Sequence, residues 1–298
     1  MGTIITTQTT VLVQGITGNE GARATEEMIA SGISVVAGVT PGKGGKTIHN
    51  VPVYDSVQEA IAQHEVNTSV IYVPPLMVYD AAMEAMYNGI TTLLIITENV
   101  PVRDTALLCA YAQQHGICIV GPSSIGVLDT RLGKLGSIAK PGEQGIYTKG
   151  SIGIISKSGG MCAETALVLS QAGYGQSSVV GIGGDQIMGI SYADLLPLFE
   201  QDADTEAIVI YGEIGGGYEE ELAEYVAKHT PKKPILAYIS GQFAETLPRS
   251  MALGHAGAII EDGKGKAVDK KAALQKAGVI VVDFHYEIPA ALKKALKK

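Results

Sequence analysis

The chain has 298 residues, of which 46% are hydrophobic and 17% charged. That balance excludes a disordered chain, and the length favours two domains, each with its own core. Its net charge of −8, from 22 basic and 30 acidic side chains, works against general binding to nucleic acid or to an acidic membrane surface. No run approaches the roughly 20 apolar residues that span a bilayer, and the start, Met1–Ile5, lacks the basic flank and apolar stretch of a secretory signal. Cys109, Cys118 and Cys162 form no metal-type spacing and cannot all pair, which favours the reducing cytoplasm. The 37 glycines are too scattered for collagen and point to turns and close approaches.

Apolar β-branched runs alternate with segments of helical period, the pattern of a parallel α/β sheet. Strands are expected at Thr10–Gln14, Ile33–Val39, Thr68–Val73, Thr92–Ile96 and Ile117–Val120, with helices near Glu20–Ser31, Met77–Asn88 and Arg103–His115. This is one doubly wound unit. Residues 130–150, rich in Gly, Lys and Pro, read as a connection between domains 1–129 and 151–298. A second series starts at Ile152–Ile155, with a helix at Met161–Ala172 and strands at Ser178–Val180, Ala207–Tyr211, Pro234–Ile239 and Val279–Val282. Helices near Tyr192–Glu200, Glu219–Lys228 and Ala267–Ala277 separate them, and Ile288–Lys298 closes the chain with a basic end that suits the helix dipole.

Several loops carry candidate chemistry. Gly15-Ile16-Thr17-Gly18-Asn19-Glu20-Gly21 follows the first strand and opens a helix, where backbone amides can approach a phosphate. Its spacing departs from the dinucleotide fingerprint, and no acidic residue follows the second strand to hold a ribose. That strand instead leads into Gly38–Gly45 with Lys43, which favours a polyphosphate ligand over NAD; a plain turn with a solvated lysine is the alternative. Ser156-Lys157-Ser158-Gly159-Gly160 repeats the strand, small-residue loop and helix order, and a tight turn explains it equally well. Gly181–Asp185 has the same ambiguity. Glu213 lies just past an apolar strand, and His255 sits in Gly254-His255-Ala256-Gly257-Ala258. Small neighbours give that imidazole steric access to act as a nucleophile, with a carboxylate on its other nitrogen; a hydrogen-bonded loop residue is the plainer reading. No zinc-type spacing and no Gly-x-Ser-x-Gly is present.

Together, Gln14–Gly21, Gly38–Gly45, Ser69–Pro74, Ile96-Thr97-Glu98, Gly181–Asp185, Gly212–Gly216 and Gly254–Ile260 resemble, in order, the α subunit of succinate–CoA ligase and its acid–CoA ligase relatives. The resemblance implies an N-terminal Rossmann-like CoA-binding domain and a C-terminal flavodoxin-like ligase domain. It also implies a separate ATP-grasp β subunit, in an αβ or α2β2 assembly, that carries ATP or GTP and Mg²⁺. By the same resemblance Thr17, Gly18, Asn19, Glu20, Lys43, Ile96, Thr97 and Glu98 contact coenzyme A. His255 is phosphorylated, Glu213 orients it, and Ser158, Gly159 and Gly160 help hold its phosphate.

Three departures bear on the acid. Gly121-Pro122-Ser123-Ser124-Ile125-Gly126 stands where the family has Gly-Pro-Asn-Cys-Pro-Gly, so Ser123 and Ser124 are substrate candidates. Ala163 replaces the usual tyrosine within Ser156–Glu164, and Gln242–Leu253 is longer than in succinate enzymes. Each resembles the citrate-activating branch, yet Lys157 stands where that branch keeps arginine, and lysine lacks the planar fork. Succinate is the expected acid, with citrate or malate as alternatives. A CoA-binding regulator without turnover is the reading from another class.

Overall fold

The computed structural model describes residues 4–139, 142–246, 254–260 and 265–297. Two seven-stranded sheets follow one another along the chain. The first contains β1 (Thr10–Gln14), β2 (Ser34–Val39), β3 (Thr47–Ile48), β4 (Val51–Tyr54), β5 (Thr68–Ile71), β6 (Thr92–Ile95) and β7 (Cys118–Val120). Their spatial order is β3-β4-β2-β1-β5-β6-β7, parallel except for the β3–β4 pair. Helices α1 (Asn19–Ala30), α2 (Val57–Ile61), α3 (Val78–Tyr87) and α4 (Val102–His115) connect them. Val11, Leu12 and Val13 are wholly buried, as expected for a central parallel strand covered on both faces.

The second sheet contains β8 (Gly126–Asp129), β9 (Gly133–Gly136), β10 (Lys149–Ser156), β11 (Gln176–Gly181), β12 (Ala207–Glu213), β13 (Ile235–Ser240) and β14 (Ile280–Val282). Its order is β14-β13-β12-β10-β11-β8-β9, with β8 and β9 antiparallel. Helices α5 (Gly159–Gln171), α6 (Tyr192–Gln201), α7 (Tyr218–His229), α8 (Ala267–Lys276) and α9 (Ile288–Ala295) belong to this half. In each sheet the chain turns outward on both sides of a central strand, β1 in one and β10 in the other. The crevice beyond the carboxyl ends of such strands is where open α/β sheets bind ligands.

The structure differs from the sequence reading at residues 126–136. Gly126–Asp129 and Gly133–Gly136 form an antiparallel hairpin on the second sheet, so the expected connection over 130–150 contains an edge strand. Its glycines and lysine hide the alternation that marks a strand. Lys134 is fully buried and its Nζ donates to Glu27 Oε2 on α1 and to the Ile138 carbonyl. Burial pushes this amine below the usual lysine range despite Glu27. The contact fastens the second sheet to the first half, and one apolar cluster, including Val13, Val70, Val127, Ile155 and Ile210, runs through both.

Replacing Lys134 by alanine leaves Glu27 with Arg23 as its remaining cationic partner. The expected loss is about 1–3 kcal/mol of unfolding free energy, read from a urea transition; an unchanged midpoint contradicts a fastening role.

Candidate active site

The site is built at the carboxyl edge of the second sheet. Register places Ser156 of β10 beside Gly181 of β11 and Tyr211 of β12, so the loops that leave these strands lie side by side. β12 ends in Glu213, which is nearly buried. His255 reaches it from a distant segment: the imidazole Nδ1 meets Glu213 Oε2 at 2.8 Å and Oε1 at 3.0 Å. Among the described residues Nε2 has no hydrogen-bond partner. The Glu213 hydrogen bond holds the imidazole above the usual histidine range, against the opposing effect of burial.

Gly184, in the loop after β11, makes room for the ring. A Cβ there would stand 2.6 Å from His255 Cγ, a clash with the ring itself. The Gly257 amide donates to the Gly184 carbonyl at 2.9 Å, tying the histidine segment to the same loop. His255 lines a cavity of about 300 Å³ with Tyr211, Glu213, Ser240, Phe243 and Gly254. A second cavity of about 240 Å³ opens beside the next residue, Ala256, between Asn99–Val102 and Asp185–Ile187.

Beneath Glu213 lies a buried ion cluster that sequence reasoning missed. The Glu213 amide donates to Glu219 Oε1 at 3.2 Å. Glu219, fully buried, pairs with Lys157 at 3.0 Å and with Lys270. Burial alone would raise the Glu219 pKa, but the two ammonium groups outweigh it and hold it below the usual glutamate range. The carboxylate fixed by Lys157 is thus the protein's own. In sequence Glu219 opens a Glu-Glu-Glu run and reads as a solvated helix start; its burial depends on cations supplied by the loop after β10 and by α8.

The other expected residues divide clearly. Ser158 caps α5 by accepting from the Met161 amide at 3.4 Å, at the edge that carries Glu213. Gly159 and Gly160 form the first turn of α5, which leaves their amides without intrahelical partners. Ser124 is buried, and its hydroxyl donates to the Gly181 carbonyl at 2.6 Å while accepting from the Gly126 amide at 2.9 Å. It stitches loop to sheet. Ser123 has a positive φ of 59° and donates its amide to the Thr97 carbonyl at 2.9 Å. Ala163 packs against an apolar cluster that includes Leu169 and Val179.

In the first sheet, Thr17, Gly18, Asn19 and Glu20 follow β1, Lys43 follows β2, and Ile96, Thr97 and Glu98 follow β6, all at the carboxyl edge. Gly18 is the N-cap of α1 with no side-chain capping bond, which leaves the first helical amides free for an anion. A Cβ on Gly21 would lie 2.4 Å from the Gly15 carbonyl oxygen, so only glycine lets the helix start this close to the turn. Thr17 Oγ1 bonds Thr40 Oγ1 at 3.2 Å, and Thr97 Oγ1 donates to the Val73 carbonyl at 2.7 Å. Glu20 pairs with Arg23 on the exposed face of α1. Asp55, also missed, shapes the Lys43 loop by accepting the amides of Lys43 and Gly44 at 2.9 and 2.8 Å.

Residues 6–99 match the CoA binding domain family and residues 155–280 the CoA-ligase family. The chain is 45% identical to the α subunit of ADP-forming succinate–CoA ligase from Methanothermobacter thermautotrophicus over 92% of its own length and 90% of the relative's. The chain belongs to the succinate–CoA ligase α-subunit family. As a family member it is a CoA ligase subunit with a CoA-binding first half, and an α subunit implies a β partner. Another relative, 40% identical over 95% of this chain and 94% of its own, is a subunit of an ADP-forming sulfoacetate–CoA ligase from an Acholeplasma species. In structure the chain is similar to Methanosaeta concilii ATP citrate lyase in complex with (3S)-citryl-CoA, with a TM-score of 0.89 and 26% identity over 97% of this chain. It spans half the length of that lyase chain. Among the described residues no helix is long and apolar enough to cross a membrane.

Glu213→Gln removes the main cause of the raised His255 pKa. A neutral imidazole then persists to lower pH, so the acid limb of any His255-dependent reaction is expected to shift to lower pH while its maximal rate falls. A pH profile of the variant with an unmoved acid limb contradicts this reading of the pair.

Proposed function

We propose that this chain is the α subunit of an ADP- or GDP-forming acid–CoA ligase in which His255 carries a phosphoryl group. The observation that carries the reading is the grip of Glu213 on Nδ1, which among the described residues leaves Nε2 as the free nitrogen of a ring that lines a cavity. A carboxylic acid resists attack by a thiol because oxide is a poor leaving group. Phosphoryl transfer from nucleotide to Nε2, and then to the acid, turns that oxide into phosphate, and the CoA thiol displaces it. Splitting one hard step into easier ones is the advantage of a covalent relay.

Each residue then has a task. Neutral His255 offers the Nε2 lone pair, and Glu213 stabilises the imidazolium-like ring that results. Ser158 with the amides of Gly159 and Gly160 would hold the phosphoryl oxygens, because a helix start favours an anion of about two negative charges. Thr17, Gly18, Asn19 and Glu20, the Lys43 loop, and Ile96, Thr97 and Glu98 would hold coenzyme A. Their fit rests on the uncapped start of α1 and the close approach at Gly21. Ser124, buried and with its hydroxyl proton committed to the Gly181 carbonyl, would serve to brace the loop.

The nucleotide and Mg²⁺ would come from an ATP-grasp β subunit, in an αβ or α2β2 assembly, in the cytoplasm. The acid is a small polycarboxylate or comparable dianion. Succinate is supported by the named relatives, and citrate or malate by the likeness to ATP citrate lyase and by Ala163, which leaves more room than tyrosine.

Incubation with the β subunit and γ-labelled ATP should place an acid-labile, base-stable label on the chain, and His255→Asn should abolish it. Labelling that survives His255→Asn overturns the proposal. Discharge of the label by succinate, malate, citrate or sulfoacetate identifies the acid.

A further inference from the structure

Asp185 ends the Gly-Ile-Gly-Gly-Asp loop after β11, and no role described so far uses its side chain. Its Oδ2 is screened from solvent and has no hydrogen-bond partner among the described residues. Buried polar atoms are nearly always paired, and an exception calls for a physical explanation. Asp185 lines the second cavity, about 240 Å³, together with Asn99, Val100 and Thr105 of the first half. The backbone amides of Asn99 and Val100 and the charges of Glu98 and His255 act on it.

This cavity sits on the seam between two sheet edges. On one side are Asn99–Val102 and Thr105, which come directly after Ile96–Glu98 at the end of the CoA-binding half. On the other is Ala256, next to His255, and the backbone of Asp185 also borders Gly257. A thiol delivered from the first sheet to an acyl group at His255 must cross the seam. A thiol is a weak nucleophile until it loses its proton.

We propose that Asp185 is the catalytic base that takes the CoA thiol proton, an inference that rests on the ligase reading above. As the S–H bond breaks, its proton passes to Asp185 Oδ2 and the sulfur pair forms the C–S bond to the acyl carbon. The C–O bond to phosphate breaks and phosphate leaves with that electron pair. The proton on Asp185 then passes to the departing phosphate, which leaves as hydrogen phosphate and restores the carboxylate. Burial pushes the Asp185 pKa up, and the charge of Glu98 adds to this against the two amides and His255. A more basic carboxylate is better matched to a thiol than an ordinary aspartate.

The test uses the complete αβ enzyme with Asp185→Asn, close to isosteric. Labelling of His255 by ATP should remain at the wild-type level, which also reports a folded site. Hydroxylamine trapping of the acyl phosphate should persist too, because that nucleophile attacks without giving up a proton to a base first. Thioester formation, with the acid that discharges wild-type label, should fall by about 10²–10⁴-fold. The deficit should shrink as pH rises toward the ordinary thiol range near about 8.5, where solvent supplies thiolate. Asp185→Glu should recover part of the rate. Equal losses in labelling and thioester formation, or a deficit that is independent of pH, overturn the proposal. So does an unchanged thioester rate. Failure of the wild-type chain to become labelled is a separate outcome that removes the ligase reading itself.

Discussion

Glu213 meets the Nδ1 of His255 with both carboxylate oxygens, at 3.0 and 2.8 Å, and the surrounding structure serves to keep that contact in place. An imidazole free to turn offers either nitrogen to solvent. One held at Nδ1 by an acceptor carries its proton there and presents the lone pair of Nε2. Three constraints converge on the pair. β12 fixes the main chain of Glu213, the buried Glu219 accepts its amide, and Gly184 gives the ring a floor without a side chain.

The ion cluster under the site deserves its cost only as a specifier of geometry. Lys157, Glu219 and Lys270 are all buried, and desolvating charges offsets much of what their attraction returns. Hydrophobic packing would fill the same space. It would not supply an acceptor for the Glu213 amide, nor a positive charge that opposes the rise in the His255 pKa, as Lys157 does. Lysine where the resemblance implies arginine therefore bears on a support beneath the site. The difference bears on how Glu219 is gripped, by single contacts instead of a planar fork.

The alternation of strands and helices was legible because central strands such as β1 and β12 carry continuous apolar runs, Val11–Val13 and Ala207–Tyr211, separated by segments of helical period. The hairpin of β8 and β9 was not, since Gly126, Gly133 and Gly136 carry no pattern and Lys134 reads as a surface residue. His255 and Glu213 were drawn together by resemblance; periodicity alone could not have joined residues 42 positions apart. Asp55, Glu219 and Asp185 stayed hidden for one shared reason. An acidic side chain at the end of a strand, after glycine or in an acidic run looks solvated, and only tertiary contacts reveal it as a loop brace, a buried counter-ion or an unpartnered carboxylate.

The tautomer of His255 is the most direct measure of the account. Long-range ¹H–¹⁵N correlation on histidine-labelled protein, with the resonance identified by its loss in His255→Asn, reports the protonation of each ring nitrogen. At a pH above the raised pKa the account predicts a proton fixed on Nδ1 and an unprotonated Nε2. A proton on Nε2, or averaging of the two nitrogens as in free imidazole, contradicts it.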